Sequence, residues 1–510
     1  MISQYRYFLA CFFFIIISTS FFSCEKSQKQ VEQLPDPQIK AEIAKVSGKL
    51  NDPTSRITSL IFRSQNPVTA SESILEKLIE KDGSFCFEAP IECSTIFGSI
   101  YSPGNGGVLI ELSSDSDIKV TLSVDSNGKL KIDNISGNNL LTAQDKENYS
   151  AVFSRYMDYP HDPAPVYKMT PEAYAHYQLD MIPKRIDYAM KDAKYSDAGK
   201  NFMINELKLF NLSEGLFAYK EWSDVSFRNS TDKEKPENWS PQEPDIHYYS
   251  FLKSFNLGNP QYLYSSYYSK IMKALFSATV LNIPPISDTP VEEWLSKVKV
   301  TLSGLVGFDT GQFYDLLAAN AYAKQFNDEV TPLSDKQKNN IKEYFGDGQI
   351  VKILLRKNEE IIKLAEGKCA VVVNKTPDVP KEELMTAIIS KYKNKAVLVD
   401  YWATWCGPCL DAMKRIDGFK SQLKDKNIVF VYITNGSSPQ ELWNKTIKSI
   451  PGEHYYLNKE EWESIAYSKQ YGFDGIPTYL LFDSNGVLKE KLTGYPGNDK
   501  MQAMIEKLQP

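Results

Sequence analysis

Two cysteines three residues apart, Cys406 and Cys409 in VDYWATWCGPCLDAM (399–413), are the densest chemical signal in this 510-residue chain. The apolar run KAVLVDYW reads as a buried strand and the residues after the cysteines as a helix, so the pair sits at a strand-to-helix junction. Two thiols in a first helical turn can close a reversible disulfide. At a helix N-terminus, unpaired N–H groups and the helix dipole favour a thiolate at Cys406. The thiolate is the nucleophile of disulfide exchange, so Cys406 would attack a target disulfide. Cys409, one turn deeper, would resolve the mixed disulfide. Gly407 permits close backbone approach, and Pro408 fixes the chain as it enters the helix. The alternatives are a zinc site and a static disulfide. Zinc needs two further Cys or His ligands at similar spacing, and the four histidines, at 161, 176, 247 and 454, supply none. No metal is expected, and a static disulfide does not require WCGPC at the head of a helix.

The elements around the pair alternate. From 366 to 510 the reading is strand CAVVV, helix PKEELMTAIISKYK, the strand and helix of the cysteines, strand NIVFVYIT and helix SPQELWNKTIKSI. Strand EHYYL, helix EEWESIAYSKQYG, a hairpin from PTYLLFD to VLKEKLTG and a last helix follow. This pattern predicts a mixed α/β sheet covered on both faces.

The rest of the chain has two other textures. From 43 to 136 the pattern is all-β: Ile118, Val120, Leu122 and Val124 alternate with polar residues, and DSNG at 125–128 supplies a turn before KLKID. A small antiparallel sandwich is expected. From 137 to 365 the texture is helical. Thr170-Pro171 has the form of an N-cap with proline at the first helical position, and Ser334 with Gln337 that of a capping box. Ile350, Ile353, Leu354, Ile361 and Ala365 share one face of a last helix. QYLYSSYYSKIM at 261–272 is either an aromatic platform for a carbohydrate or peptide, or core packing by amphipathic rings; packing is the better-supported reading. Cys86 and Cys93 are read either as a small bridge across a turn or as two half-buried strand cysteines.

MISQYRYFLACFFFIIISTSFFSC has a weakly basic start and an apolar run ending at a small residue, which reads as a secretory signal over 1–23. FFSC resembles a bacterial lipobox, with Phe21 where these boxes usually carry Leu, and implies cleavage before Cys24 and lipidation of its thiol. An uncleaved membrane anchor is the alternative. Residues 24–42, polar and with two prolines, read as the lipidated cysteine and a flexible tether. Either way the body lies outside the cytoplasm, where disulfides persist. A net charge of −6 and the lack of a basic cluster with interleaved aromatics argue against nucleic acid as a partner.

VLVDYWATWCGPC, followed about seventy residues later by GIPTYLLFDSNG, resembles the thioredoxin superfamily. The helix ELWNKTIKSI and strand HYYL stand where the TlpA/ResA/DsbE branch of membrane-tethered oxidoreductases carries its insertion. The resemblance covers 366–510 and implies a thioredoxin-like fold there, so the whole chain is expected to be multi-domain: N-terminal β-sandwich, central helical region, C-terminal α/β domain. It also implies that Pro477 is a cis-proline against the cysteine pair and that the backbone of Ile476 pairs with an extended substrate. Asp400 matches the buried carboxylate that assists proton transfer at the second cysteine. Trp405 would flank the reactive sulfur as an apolar platform. No cofactor is implied beyond the dithiol. The expected function is a lipid-anchored disulfide reductase of the cell envelope, facing the periplasm or exterior. Its partners would be disulfide-containing client proteins and an upstream electron donor such as a membrane thiol carrier. A ligand-binding lipoprotein with an accessory redox module is the competing reading. A thiol peroxidase fits less well, because no threonine stands three residues before a lone reactive cysteine.

Overall fold

The structure is a computed structural model that describes residues 34–52, 57–137, 140–160, 164–191, 193–232, 235–366, 371–420, 423 and 427–508. The expected signal, Cys24 and Cys369 lie outside these residues, as does His161. Among the described residues no helix is long and apolar enough to cross a membrane.

Eight strands open the fold: β1 (Ile39–Asn51), β2 (Ser59–Gln65), β3 (Glu72–Leu78), β4 (Ser84–Cys93), β5 (Thr95–Ser102), β6 (Gly106–Ser113), β7 (Ile118–Val124) and β8 (Leu130–Ser136). They form two four-stranded sheets, ordered β4-β1-β7-β8 and β3-β2-β5-β6. The alternation read in β7 is real: Ile118, Val120 and Leu122 are buried while Lys119 is exposed. The arrangement is not wholly antiparallel, because β1 pairs with β7 in parallel, Gly48 opposite Val120. A Cβ at Gly48 would stand 2.1 Å from the Val120 carbonyl oxygen, so only glycine lets the two backbones approach there. Cys86 and Cys93 both lie on β4, seven residues apart on an extended strand. That separation is about 23 Å at strand rise, far beyond disulfide reach, and both thiols are free.

The helical middle shares its core with these sheets. Phe62, Phe87 and Val120 belong to the same buried cluster as Tyr174, Leu252, Trp294, Leu317 and Ile353. Thr170 caps the helix Pro171–Met190 by accepting the Ala173 N–H, and Ser334 forms a capping box with Gln337 at the head of Asp335–Phe345. The helix Gln349–Glu366 closes over β1 and β4: Gln349 Oε1 accepts the Ala41 N–H, and Arg356 donates to the carbonyls of Glu42 and Ile91. Tyr262, Tyr264 and Tyr268 are all buried, and their hydroxyls donate to the carbonyls of Phe255, Pro35 and Leu257 at 2.7–2.8 Å. A ring with its hydroxyl satisfied by backbone is a packing element, so these three form no exposed platform.

The C-terminal part carries β9 (Val371–Asn374), β10 (Ala396–Tyr401), β11 (Ile428–Asn435), β12 (Gly452–Leu457), β13 (Thr478–Phe482) and β14 (Leu488–Thr493) in the order β14-β13-β10-β11-β12-β9. Strands β9, β12, β11 and β10 run parallel, and the hairpin β13–β14 adds antiparallel to β10. β10 is central and buried at every residue, as its apolar run requires. The helix after β12 spans only Lys459–Ala466, one segment short of the expected Gly472 terminus; there the chain turns, with the Gly472 N–H donating to the Ser468 carbonyl.

Candidate active site

Strand β10 ends at Tyr401, and the helix Gly407–Lys420 begins six residues later. Cys406 is the residue before that helix. Its carbonyl accepts the N–H of Cys409 at 3.0 Å and of Leu410 at 3.1 Å, while its Sγ accepts the Cys409 N–H at 3.2 Å. The first sulfur therefore shares, with the Cys406 carbonyl, an N–H of the first helical turn. Cys406 and Cys409 are joined as a disulfide with Cα atoms 5.3 Å apart. Cys406 retains 4% exposure and Cys409 none, so an incoming reagent meets Cys406 first.

The flanking residues are arranged by strand and loop. Trp405 is 63% exposed, and its indole Nε1 donates to the Ser437 hydroxyl at 3.2 Å. Beneath it, the Thr404 N–H donates to Ser438 Oγ at 3.0 Å, tying the cysteine loop to the turn after β11. The Ile476–Pro477 peptide is cis, and Ile476 packs against the apolar cluster that contains both cysteines. The Pro477 carbonyl accepts the Gly494 N–H. The fold thus gathers Cys406, Cys409, Trp405 and Ile476 around one loop system.

Asp400 lies behind them. On β10 it alternates with Val399 and Tyr401, and so shares the face of Leu398, which is covered by the cysteine helix through Ala412 and Ile416. It stands opposite Tyr432 of β11 and Tyr479 of β13. The side chain is wholly buried, and neither carboxylate oxygen accepts a hydrogen bond from a described residue. Burial pushes its pKa well above the usual carboxylate range, and the Lys420 charge opposes this only in part.

The sequence alone gives Lys420, Tyr432 and His454 no part in the site. Lys420, at the far end of the cysteine helix, donates to the Tyr432 hydroxyl at 2.7 Å and to the Pro451 carbonyl at 3.1 Å. The Tyr432 ring stacks on His454, 5.1 Å between centroids. His454 is fully buried with Nε2 against the Ile450 carbonyl at 2.7 Å, and burial lowers its pKa to about 4. Tyr432 lies in the strand NIVFVYIT read from the sequence and His454 in the strand EHYYL, but nothing in either run marks them as site residues; Lys420 leaves no signal. Among the described residues no cluster of three or more His, Cys, Asp or Glu side chains could hold a metal.

A thioredoxin-like family model, Thioredoxin_8, matches residues 394–488, which contain every residue of this site. Thiol-disulfide oxidoreductase ResA of Bacillus thuringiensis is 22% identical over 118 residues, 23% of this chain and 66% of that protein. The chain thus spans just under two thirds of that relative. An uncharacterized protein of Haemophilus influenzae is 31% identical over 127 residues, covering 77% of its length. A thiol:disulfide interchange protein of Chlorobium tepidum aligns over 23% of this chain and 83% of its own, with 21% identity and a TM-score of 0.21. Through its C-terminal α/β module, built around β10 and the cysteine helix, the chain belongs to the thioredoxin superfamily.

Proposed function

We propose that the chain is an extracytoplasmic thiol–disulfide oxidoreductase that reduces protein disulfides and is held at a membrane by lipid on Cys24. The observation that carries the reading is the Cys406 sulfur at the helix N-terminus, bonded to the Cys409 N–H and more accessible than Cys409. In the reduced protein, the Cys406 thiolate attacks one sulfur of a client disulfide and expels the other as a thiolate, which takes up a proton. Cys409 then gives a proton to Asp400 and attacks Cys406 Sγ. The second client sulfur leaves, and two electrons have passed to the client. An upstream dithiol, such as a membrane thiol carrier, returns the Cys406–Cys409 disulfide to the dithiol. Trp405 and the Ile476 backbone before Pro477 form the client-facing rim.

The tether expected over 24–42 ends earlier than its sequence implied, because Leu34 is buried and β1 begins at Ile39. In this reading 43–136 and 137–365 serve as the platform above it, with 366–510 as the redox module. The two N-terminal sheets act as layers of one sandwich: Phe62 and Phe87, one from each, stand 5.9 Å apart in the shared core. The test is a trap. Cys409→Ala should accumulate client mixed disulfides on Cys406, and the full chain should reduce insulin disulfides. No trapped client together with no insulin reduction would sink the reading.

A second reading, ligand binding by the helical region, is favoured by one feature. A cavity of about 630 Å³ is walled by Tyr167, Tyr174, Tyr177, Phe210 and Trp222, with the buried amide of Asn211 on its lining. Its size and aromatic walls suit a small ligand. Glycan or peptide binding abolished by Trp222→Ala, with insulin reduction intact, would establish it as an additional activity.

A further inference from the structure

The cysteine helix is not free of the N-terminal sheets. Its residues 411, 414 and 415 share one face, as i, i+3 and i+4 positions do. On β3, Glu72 and Glu76 point to the same side, and Arg63 of β2, opposite Ile74 in the register, joins them. Helix face and sheet face meet through three ion pairs. Lys414 Nζ lies 2.6 Å from Glu72 Oε2. Arg415 donates to Glu76 Oε2 from Nε at 3.1 Å and Nη2 at 2.9 Å. Arg63 Nη2 is hydrogen-bonded to Asp411 Oδ1. In the first two pairs the helix supplies the cation; in the third the N-terminal sheet does.

That third pair bears on the chemistry. Asp411 follows Cys406 by five residues, about 7.5 Å along a helix axis, and follows Cys409 by two. Asp411 also faces Arg415, whose Nη1 lies 3.9 Å from Oδ2, and Arg63 also faces Glu72, its Nε 3.4 Å from Oε1. A carboxylate there whose charge is not fully offset weakens the positive potential that the helix N-terminus offers a thiolate. We infer that Arg63 is a positioning residue of the N-terminal sheet that offsets the Asp411 charge and so stabilises the Cys406 thiolate. The inference rests on the reading that Cys406 is the nucleophile. It makes the β region an electrostatic part of the redox centre, contributed from 343 residues earlier in the chain.

The test uses the full reduced chain, following alkylation of the Cys406 peptide by iodoacetamide as a function of pH, with glutathione exchange measured in parallel. Arg63→Gln should raise the midpoint by about half a pH unit, roughly threefold less thiolate at a fixed pH below it. Asp411→Asn should lower it by a similar amount. Arg63→Lys should keep the wild-type midpoint, because charge rather than shape is invoked. Both shifts should shrink at about 1 M salt, since Arg63 is partly exposed. Lys445→Gln, which removes an equal charge from the separate Asp328 contact, should leave the midpoint unchanged. Unmoved midpoints in Arg63→Gln and Asp411→Asn, or movement of both in one direction, overturn the inference. Alkylation does not require exchange, so a wild-type chain that never exchanges with glutathione while Arg63→Gln still shifts the midpoint overturns the oxidoreductase reading alone.

Discussion

The backbone N–H of Cys409 points at the Sγ of Cys406, 3.2 Å away, so the fold already supplies a donor where a thiolate would carry its charge. A hydrogen bond to the charged form lowers a pKa, as does the dipole of the helix Gly407–Lys420. The Cys406 thiol of the reduced protein is therefore expected to ionise below the ordinary value of about 8.5. The difference in ultraviolet thiolate absorbance between wild type and Cys406→Ser across a pH series reads this directly. A midpoint at or above the ordinary value would refute it.

Asp400 yields a prediction in which stability and activity move in opposite directions. Its folded-state pKa is raised by burial, so its contribution to stability is full below the unfolded value of about 3.9 and falls as pH rises toward the folded value. Asp400→Asn removes that loss. The variant should be more stable than wild type at about pH 8, by ~1–3 kcal/mol, with the gap closing toward pH 4. Resolution of the mixed disulfide should slow by about a hundredfold, because the proton acceptor is gone. Denaturant melts at several pH values and rapid-quench trapping of the mixed disulfide measure the two halves separately.

His454 has the opposite sign. Burial lowers its pKa to about 4 from an ordinary 6.5, so the neutral ring's contribution is full above about 6.5 and is lost as pH falls through about 4. Wild type should lose up to about 3 kcal/mol over that window from this residue alone. His454→Phe keeps a ring against Tyr432 and should cost about 1 kcal/mol at neutral pH for the lost bond to the Ile450 carbonyl. Its acid limb should be flatter than that of wild type. Parallel acid limbs in the two proteins would show that His454 does not titrate on unfolding.

These residues also mark what could be read from the chain alone. Cys406, Cys409, the Thr170-Pro171 cap and the Ser334–Gln337 box are local patterns, because a helix terminus is set within about four residues of itself. Pro477 could be named only through resemblance to a family, since no local rule distinguishes its isomer. The Lys420–Tyr432 bond, the β1–β7 parallel pair and the Arg63–Asp411 contact join residues from 12 to 348 positions apart. Hydrophobic period carries no information about which distant strand or helix a face will meet. The tyrosines of 261–272 show the complementary difficulty: composition marked them as notable, and only the carbonyls they reach show that they are core.

The ion pair of Arg415 and Glu76 is the most enclosed contact between the cysteine helix and the N-terminal sheets, with side chains 6% and 4% exposed. Glu76 Oε2 also accepts the Asn498 N–H at 3.2 Å, and Oε1 accepts the Ser59 hydroxyl at 2.8 Å. Arg415 further stacks its guanidinium 4.6 Å from the Tyr495 ring centroid. Glu76→Ala leaves the desolvated guanidinium with the longer contact to Asp411 Oδ2 at 3.9 Å, and breaking a buried pair typically costs about 3–5 kcal/mol. The double variant Arg415→Met, Glu76→Leu keeps the volume without either charge and should recover most of that loss. If the pair joins the redox module to its platform, Glu76→Ala should also split the thermal transition into two and open a protease-sensitive site between residues 366 and 396, and the double variant should do neither. A single transition in Glu76→Ala at reduced stability would mean that the other contacts between the two parts, such as Lys414–Glu72 and Lys445–Asp328, couple them without this pair.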